Sequence, residues 1–292
     1  MDFIGRMKWW FALSLLVIVP GVISLFTQGL NKGIDFQGGA IFDLRFEKKV
    51  DVGQARSVLA EFNLDKEAVI QASGEKELLI RTKAVNEDVR NRIIKGLEEK
   101  FGKVTVLAED RVDPVIGSEL LLKALLALLV ASVLIMVYIA FRFSDIKFGI
   151  AAVIAVLHDV LVVTGIFSLM RWEVDGSFVA AILTIIGYSI MDTIVIFDRI
   201  RENLRRKKKD QTLEEVVNDS ILQTLNRSVN TVLTVIFILL AMIFFGGGTT
   251  SVFVTALLIG VISGAYSSIF NASPLWIVFK RLEQRKKAVA RG

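Results

Sequence analysis

Six apolar runs, each long enough to cross a bilayer, leave this chain little freedom in choosing a fold; they cover about residues 9–26, 120–141, 148–170, 178–197, 228–245 and 251–279. A helix rises about 1.5 Å per residue, so roughly 20 apolar residues match a hydrocarbon core about 30 Å thick. Inside hydrocarbon every backbone polar group has to be satisfied internally, and runs of this length do so as helices. The sequence therefore predicts an α-helical polytopic membrane protein with six transmembrane helices. The sixth run is too long for one span, and Pro274 near its end predicts a tilt, a kink or an exit into the interface. Arg6 and Lys8 precede the first run as they would in a signal peptide. No small-residue cleavage pattern follows, and the run exceeds a usual signal core, so it is read as an uncleaved span.

Charge fixes the expected orientation. The formal net charge of +5 would raise nucleic acid as a partner for a soluble chain, but the basic residues sit in alternate loops. They are Arg6 and Lys8, then Arg142 and Lys147, then a dense loop near 199–226, then Lys280, Arg281, Arg285, Lys286 and Lys287. By the positive-inside rule that side is the cytoplasm. The opposite loops, 171–177 and 246–250, have no basic excess, and acidic and basic residues nearly balance in the long segment between the first two spans. The excess is topological, and no nucleic-acid partner is expected. The expected division is residues 1–28 for the cytoplasmic N-terminus and first span, 29–118 for an extracytoplasmic domain, 119–279 for a five-helix membrane region, and 280–292 for a basic cytoplasmic tail. Both termini then lie inside.

The long segment reads as a compact fold of its own. Residues 39–46 alternate like a strand, and 52–62 carry helical spacing. Short strands follow at 69–72 and 78–82, then a helix capped by Asn86 that stops near Gly102, then a strand at 104–107. The order βαββαβ matches a ferredoxin-like α+β domain. It holds no histidine, no cysteine and no recognisable pair of catalytic carboxylates, and it reads as a binding or lever module rather than an enzyme. The whole chain lacks cysteine, which removes disulfides and thiolate metal sites, and it lacks a phosphate-binding GxxxxGK[ST] loop. No cofactor or metal is expected.

Polar residues inside the spans carry the functional argument. Asp192 lies roughly 20 Å along the fourth span, where a carboxylate costs roughly 2.5 to 3.5 kcal/mol on insertion scales. Thr184, Tyr188 and Asp192 follow at i, i+4 and i+8, with Ser189 three residues before the carboxylate, so hydroxyls are expected beside it on one face looking into a bundle. His158 and Asp159 fall at the middle of the third span, either as a structural polar pair or as part of a proton path. Arg227 opens the fifth span, with Asn230, Thr231 and Thr234 continuing its face; an arginine there either snorkels to headgroups or joins the polar group. Small residues recur in the sixth run at Gly260, Gly264 and Ser268, and at Ser263, Ser267 and Asn271, a pattern that permits close helix packing. Residues 213–225, with Thr212 and Glu215 as a capping box, are expected to lie along the inner membrane surface.

Five stretches in order carry a resemblance: GIDFQGGAIFDL at 33–44, AVLHDVLVVTG at 155–165, GYSIMDTIVIFDRIRENLRR at 187–206, NRSVNTVLTV at 226–235 and GAYSSIFNASPL at 264–275. Together they resemble the SecF family over nearly the entire chain. In the family form of the third stretch an asparagine stands where this chain has Met191. The resemblance implies half of an RND-like twelve-helix bundle, pairing with SecD, and association with the SecYEG channel and YajC. It implies use of the proton-motive force to assist a translocating polypeptide across the bacterial cytoplasmic (inner) membrane. It also implies that Arg227 belongs to the polar group accompanying Asp192; the residues themselves make Asp192, Arg227, Asp159 and His158 the proton-relay candidates, with Tyr188, Ser189, Asn230 and Thr231 as a supporting polar face. Gly33, Asp35, Gly38 and Gly39 are the family motif after the first span. The alternatives to this reading are half of an RND-type exporter of lipids or small amphiphiles, and a purely architectural subunit.

Overall fold

The computed structural model describes residues 2–65, 68–112, 114–143, 145–245 and 250–289. Residues 246–249 of the expected outer loop and 290–292 of the expected basic tail lie outside this set. Helix α1 (Met7–Thr27) is followed by a two-residue strand β1 (Asn31–Lys32) and one helical turn α2 (Ile34–Gln37). A sheet domain then comprises β2 (Gly39–Phe46), α3 (Val52–Ala60), β3 (Val69–Ala72), β4 (Glu77–Thr82), α4 (Glu87–Phe101) and β5 (Val104–Val112). The chain continues through α5 (Pro114–Phe143), α6 (Ile146–Met170), β6 (Glu173–Val174), α7 (Gly176–Arg205), α8 (Leu213–Phe245), α9 (Ser251–Ser267) and α10 (Ser273–Val289). A π-helical turn at Ser268–Ala272 joins the last two. Six helical stretches among the described residues are long and apolar enough to cross a membrane, α9 to α10 counting as one.

The four longer strands form one antiparallel sheet in the order β3-β4-β2-β5, which is the ferredoxin-like arrangement of a βαββαβ chain. Alternation along β2 puts Phe42, Leu44 and Phe46 into a core with Leu59, Ile80, Leu97 and Phe101, beneath α3 and α4. Asn86 accepts a hydrogen bond from the Val89 backbone N–H at 2.9 Å and starts α4 as its sequence position predicts. The last strand runs to Val112, well past the expected 107. Its added half is polar and shows no alternation, but β2 supplies the pairing after a register shift between Asp43 and Leu44.

The bundle has its own core, in which Phe148 stacks on Trp276 with ring centroids 4.7 Å apart. Backbones approach closely at glycines, as in other membrane helix pairs. A Cβ on Gly21 of α1 would lie 2.8 Å from Gly165 Cα of α6, and one on Gly260 of α9 would lie 2.2 Å from Ile185 Cδ1 of α7. The expected distortion of the sixth run is the π turn, just ahead of Pro274, whose ring has no N–H to offer an α-helical register. One expectation is corrected. Residues 213–225 do not lie along the surface as a separate element; they are the first turns of the 33-residue helix α8, with Val217 and Ile221 fully buried in the bundle core. Their apolar stripe packs on protein rather than on lipid. The capping box is formed in both directions, with Thr212 N–H donating to Glu215 Oε2 at 2.7 Å and Glu215 N–H to Thr212 Oγ1 at 3.2 Å.

Candidate functional site in the membrane bundle

Two carboxylates lie at mid-membrane positions, and α7 stands between them. Asp159, on α6, is fully buried. Its Oδ2 accepts from Ser189 Oγ of α7 and Ser267 Oγ of α9, both at 2.7 Å, and its Oδ1 accepts from Ser263 Oγ at 2.6 Å. His158 Nδ1 is 3.0 Å from the same Oδ1. On its far side, His158 Nε2 is 3.1 Å from Ser14 Oγ of α1, and Asn271 in the π turn donates to Ser14 Oγ at 2.9 Å. Four helices and the π turn thus converge on one carboxylate and one imidazole, and both carboxylate oxygens are saturated.

Asp192 has a different setting. It is half-buried on α7, facing α8, and accepts one hydrogen bond, from Ser228 Oγ at 2.7 Å. Its second oxygen and the nearby Tyr188 hydroxyl have no hydrogen-bond partner among the described residues. Both line a small hollow with Met191, Arg227 and Thr231. Thr184, Met191, Arg227 and Asn230 are exposed, so this side of the bundle faces outward from the chain.

The candidate residues therefore fall into two groups. His158 and Asp159 belong with Ser189; Asp192 belongs with Tyr188, Ser228, Arg227 and Thr231. The expectation that Ser189 sits beside Asp192 is corrected. An i, i+3 spacing leaves two residues about 60° apart around the helix, and here the boundary between two packing neighbours passes between them. Thr184 lies on the outside of this chain, so the face expected to look into a bundle is not covered by this chain's own helices. Asn230 is exposed and does not line the hollow, while Thr231 does, its hydroxyl donating to the Arg227 carbonyl at 2.9 Å.

The motif after α1 sits where the sheet domain meets the bundle. Gly33 N–H donates to the Val174 carbonyl at 2.7 Å, next to the parallel pairing of β1 with β6, and a Cβ there would strike Glu173. Asp35 Oδ2 accepts from Gly176 N–H at 2.6 Å, satisfying a free donor at the start of α7. Phe36 joins the bundle core while Ala40 joins the sheet core, and between them Gly38 has φ 78°, in the left-handed region that favours glycine. Arg81 of β4 pairs with Glu173 of β6 and ties the domain to the bundle.

Several participants escaped sequence reasoning: Ser14, Ser228, Asn271 as a donor to Ser14, and the Arg81–Glu173 pair. Ser14 had a signal, as an isolated hydroxyl in the first span. Strands of two residues, like β1 and β6, leave no periodicity to read.

Fold and site define a class: a six-span helical membrane protein with a ferredoxin-like insert after the first span and carboxylates held at mid-membrane. The family model described as protein export membrane protein SecD/SecF, C-terminal, matches residues 92–282, and the SecD/SecF GG motif matches residues 23–50. Protein translocase subunit SecF of Thermobaculum terrenum is 43% identical, over 98% of this chain and 99% of the relative. Protein translocase subunit SecDF of Bacillus subtilis is 38% identical over 98% of this chain, which spans 39% of that relative. The crystal structure of SecDF, a translocon-associated membrane protein from Thermus thermophilus, superposes with a TM-score of 0.86 at 40% identity, covering 96% of this chain and 39% of that one. The chain belongs to the SecF family of protein-export membrane proteins.

Proposed function

We propose that the chain is the SecF subunit of a Sec protein-export accessory complex, that it pairs with SecD, and that Asp192 exchanges protons at the seam between the two. The observation that carries this reading is the state of Asp192: a carboxylate at mid-membrane with one hydrogen bond, on the side of the bundle this chain leaves uncovered. Single-chain SecDF relatives, of which this chain matches about two fifths, join such a region to further sequence that can supply the cover. The saturated Asp159 cluster, in this reading, fastens α1, α6, α7 and α9 and leaves proton exchange to Asp192. The sheet domain lies outside the cytoplasmic membrane, both termini lie in the cytoplasm, and SecYEG and YajC are the wider assembly. The motif at 33–39 couples the domain to α7 through the Asp35 bond, so that movement of the domain accompanies a change at Asp192 and aids an emerging polypeptide. One charge crossing 100 mV provides roughly 2.3 kcal/mol for such a bias.

The test is Asp192→Asn in the full assembly, with export of a secretory precursor measured in vesicles under an imposed proton gradient. The amide keeps the shape and the bond from Ser228 but cannot titrate. Gradient-dependent stimulation is expected to vanish while SecD pairing is retained; unchanged stimulation would sink the proposal.

A further inference from the structure

At the basic end of the bundle, where α5 and α7 leave their apolar stretches and α8 enters its own, a hollow of about 540 Å³ opens between the three helices. Five arginines line it, Arg142, Arg199, Arg201, Arg205 and Arg227, against two carboxylates, Asp198 and Glu202. Asp198 is taken by Arg142 at 2.9 Å, and Glu202 by Arg199 at 2.8 Å. Arg201 donates to the Arg142 carbonyl at 3.0 Å and pairs with the other oxygen of Asp198 at 3.5 Å, which holds its guanidinium at the rim. Arg205 and Arg227 make no ion pair among the described residues. Three positive charges are thus in excess, held by helices at the depth of the membrane boundary. Val195 floors the hollow and also lines the Asp192 hollow beneath it, where Met191 is 64% exposed.

We propose that this hollow binds the phosphodiester headgroup of an anionic phospholipid, with an acyl chain descending along Val195 and Met191 at the edge of the seam that, in the reading above, the partner chain completes. Guanidinium forks match phosphate oxygens in pairs, and basic recesses between membrane helices select anionic headgroups by that geometry. A free phosphate would use the same arginines but not the apolar track below them. The site stands on the depth and charge of the hollow, whichever side of the membrane it faces.

The experiment is native mass spectrometry of the purified assembly, titrated with dioleoyl phosphatidylglycerol, with dioleoyl phosphatidylcholine as the neutral control and inorganic phosphate as a competitor. Phosphatidylglycerol is expected to bind roughly tenfold or more tightly than phosphatidylcholine. The pair Arg201→Gln and Arg205→Gln should remove most of that preference, while Arg285→Gln with Lys286→Gln, an equal loss of charge in the tail, should leave it. If the first pair fails to fold, Arg205→Gln alone, at an exposed side chain, should still lower the preference. Equal binding of the two lipids overturns the proposal, as does equal loss in the tail variant or inorganic phosphate binding as tightly as the lipid. So does lipid binding seen only when the partner chain is absent, which would assign the hollow to acidic groups of that partner.

Discussion

Asp159 and Asp192 are the same chemical group at similar depth, yet one is surrounded by donors and the other has a single one. Asp159 gathers three hydroxyls and a histidine from its own chain and is closed off. Asp192 meets one serine, and its second oxygen is buried with no hydrogen-bond partner among the described residues. A buried charge that is fully hydrogen-bonded stabilises the arrangement around it, whereas one left partly unpaired leaves a demand that something else has to meet. The difference separates polar groups that hold a bundle together from those set aside for exchange.

The sharpest way to break this contrast is to remove each carboxylate and measure unfolding. Asp159→Leu strands three buried hydroxyls and His158, and a loss of about 3–5 kcal/mol is expected from leaving several buried polar groups unsatisfied at once. Asp192→Asn should cost less than about 1 kcal/mol, because the one bond it makes survives. Equal costs in denaturant titrations would erase the distinction between a fastening and an exchanging carboxylate.

A smaller effect tests whether the cluster depends on helix approach. Gly21→Leu puts side-chain atoms against the Gly165 backbone and should cost about 1–3 kcal/mol by overpacking. Because α1 carries Ser14, its displacement should change the infrared or NMR signature of His158 and leave that of Asp192 unaltered. A matching change at both sites would mean that they are a single network after all.

The smallest effect comes from a third carboxylate, Glu109, outside the membrane spans. The Arg90 hydrogen bonds, as short as 2.5 Å, hold its carboxyl below the usual glutamate range despite partial burial. A depressed folded-state value stabilises the domain above the ordinary glutamate range, and the benefit is lost as pH falls through the lowered value. Glu109→Gln should therefore reduce stability by about 1 kcal/mol at neutral pH and flatten the decline on acidification, read by thermal unfolding of the sheet domain. An acid decline as steep as that of the unaltered protein would remove the Arg90 pair from the stability of this domain.

The sequence made the six spans and the βαββαβ order legible because both rest on long-range repetition of apolar residues, and the Asn86 cap and Thr212 box because each is a local exchange of hydrogen bonds. The partners of α7 were another matter. Ser189 and Asp192 share a face on a helical wheel, and only the placement of α8 and α9 around α7 sends one to Asp159 and the other to Ser228. The 213–225 segment was misplaced for a related reason: an amphipathic stripe shows that a face will be covered, and lipid headgroups and protein side chains cover it equally well. The Arg81–Glu173 tie brings together residues 92 apart, with neither one unusual in its own neighbourhood.

The separation of Asp159 from its donors also bears on biogenesis. Ser189 follows it by 30 residues, but Ser263 and Ser267 come 104 and 108 residues later. A nascent chain inserting its helices in order must carry the third span into the bilayer with its carboxylate lacking most of these donors, and hold it there through two further spans. Insertion of the sixth helix then supplies the missing hydroxyls and closes the bundle, so that arrival of the last span serves as a checkpoint on whether all the earlier ones took their places.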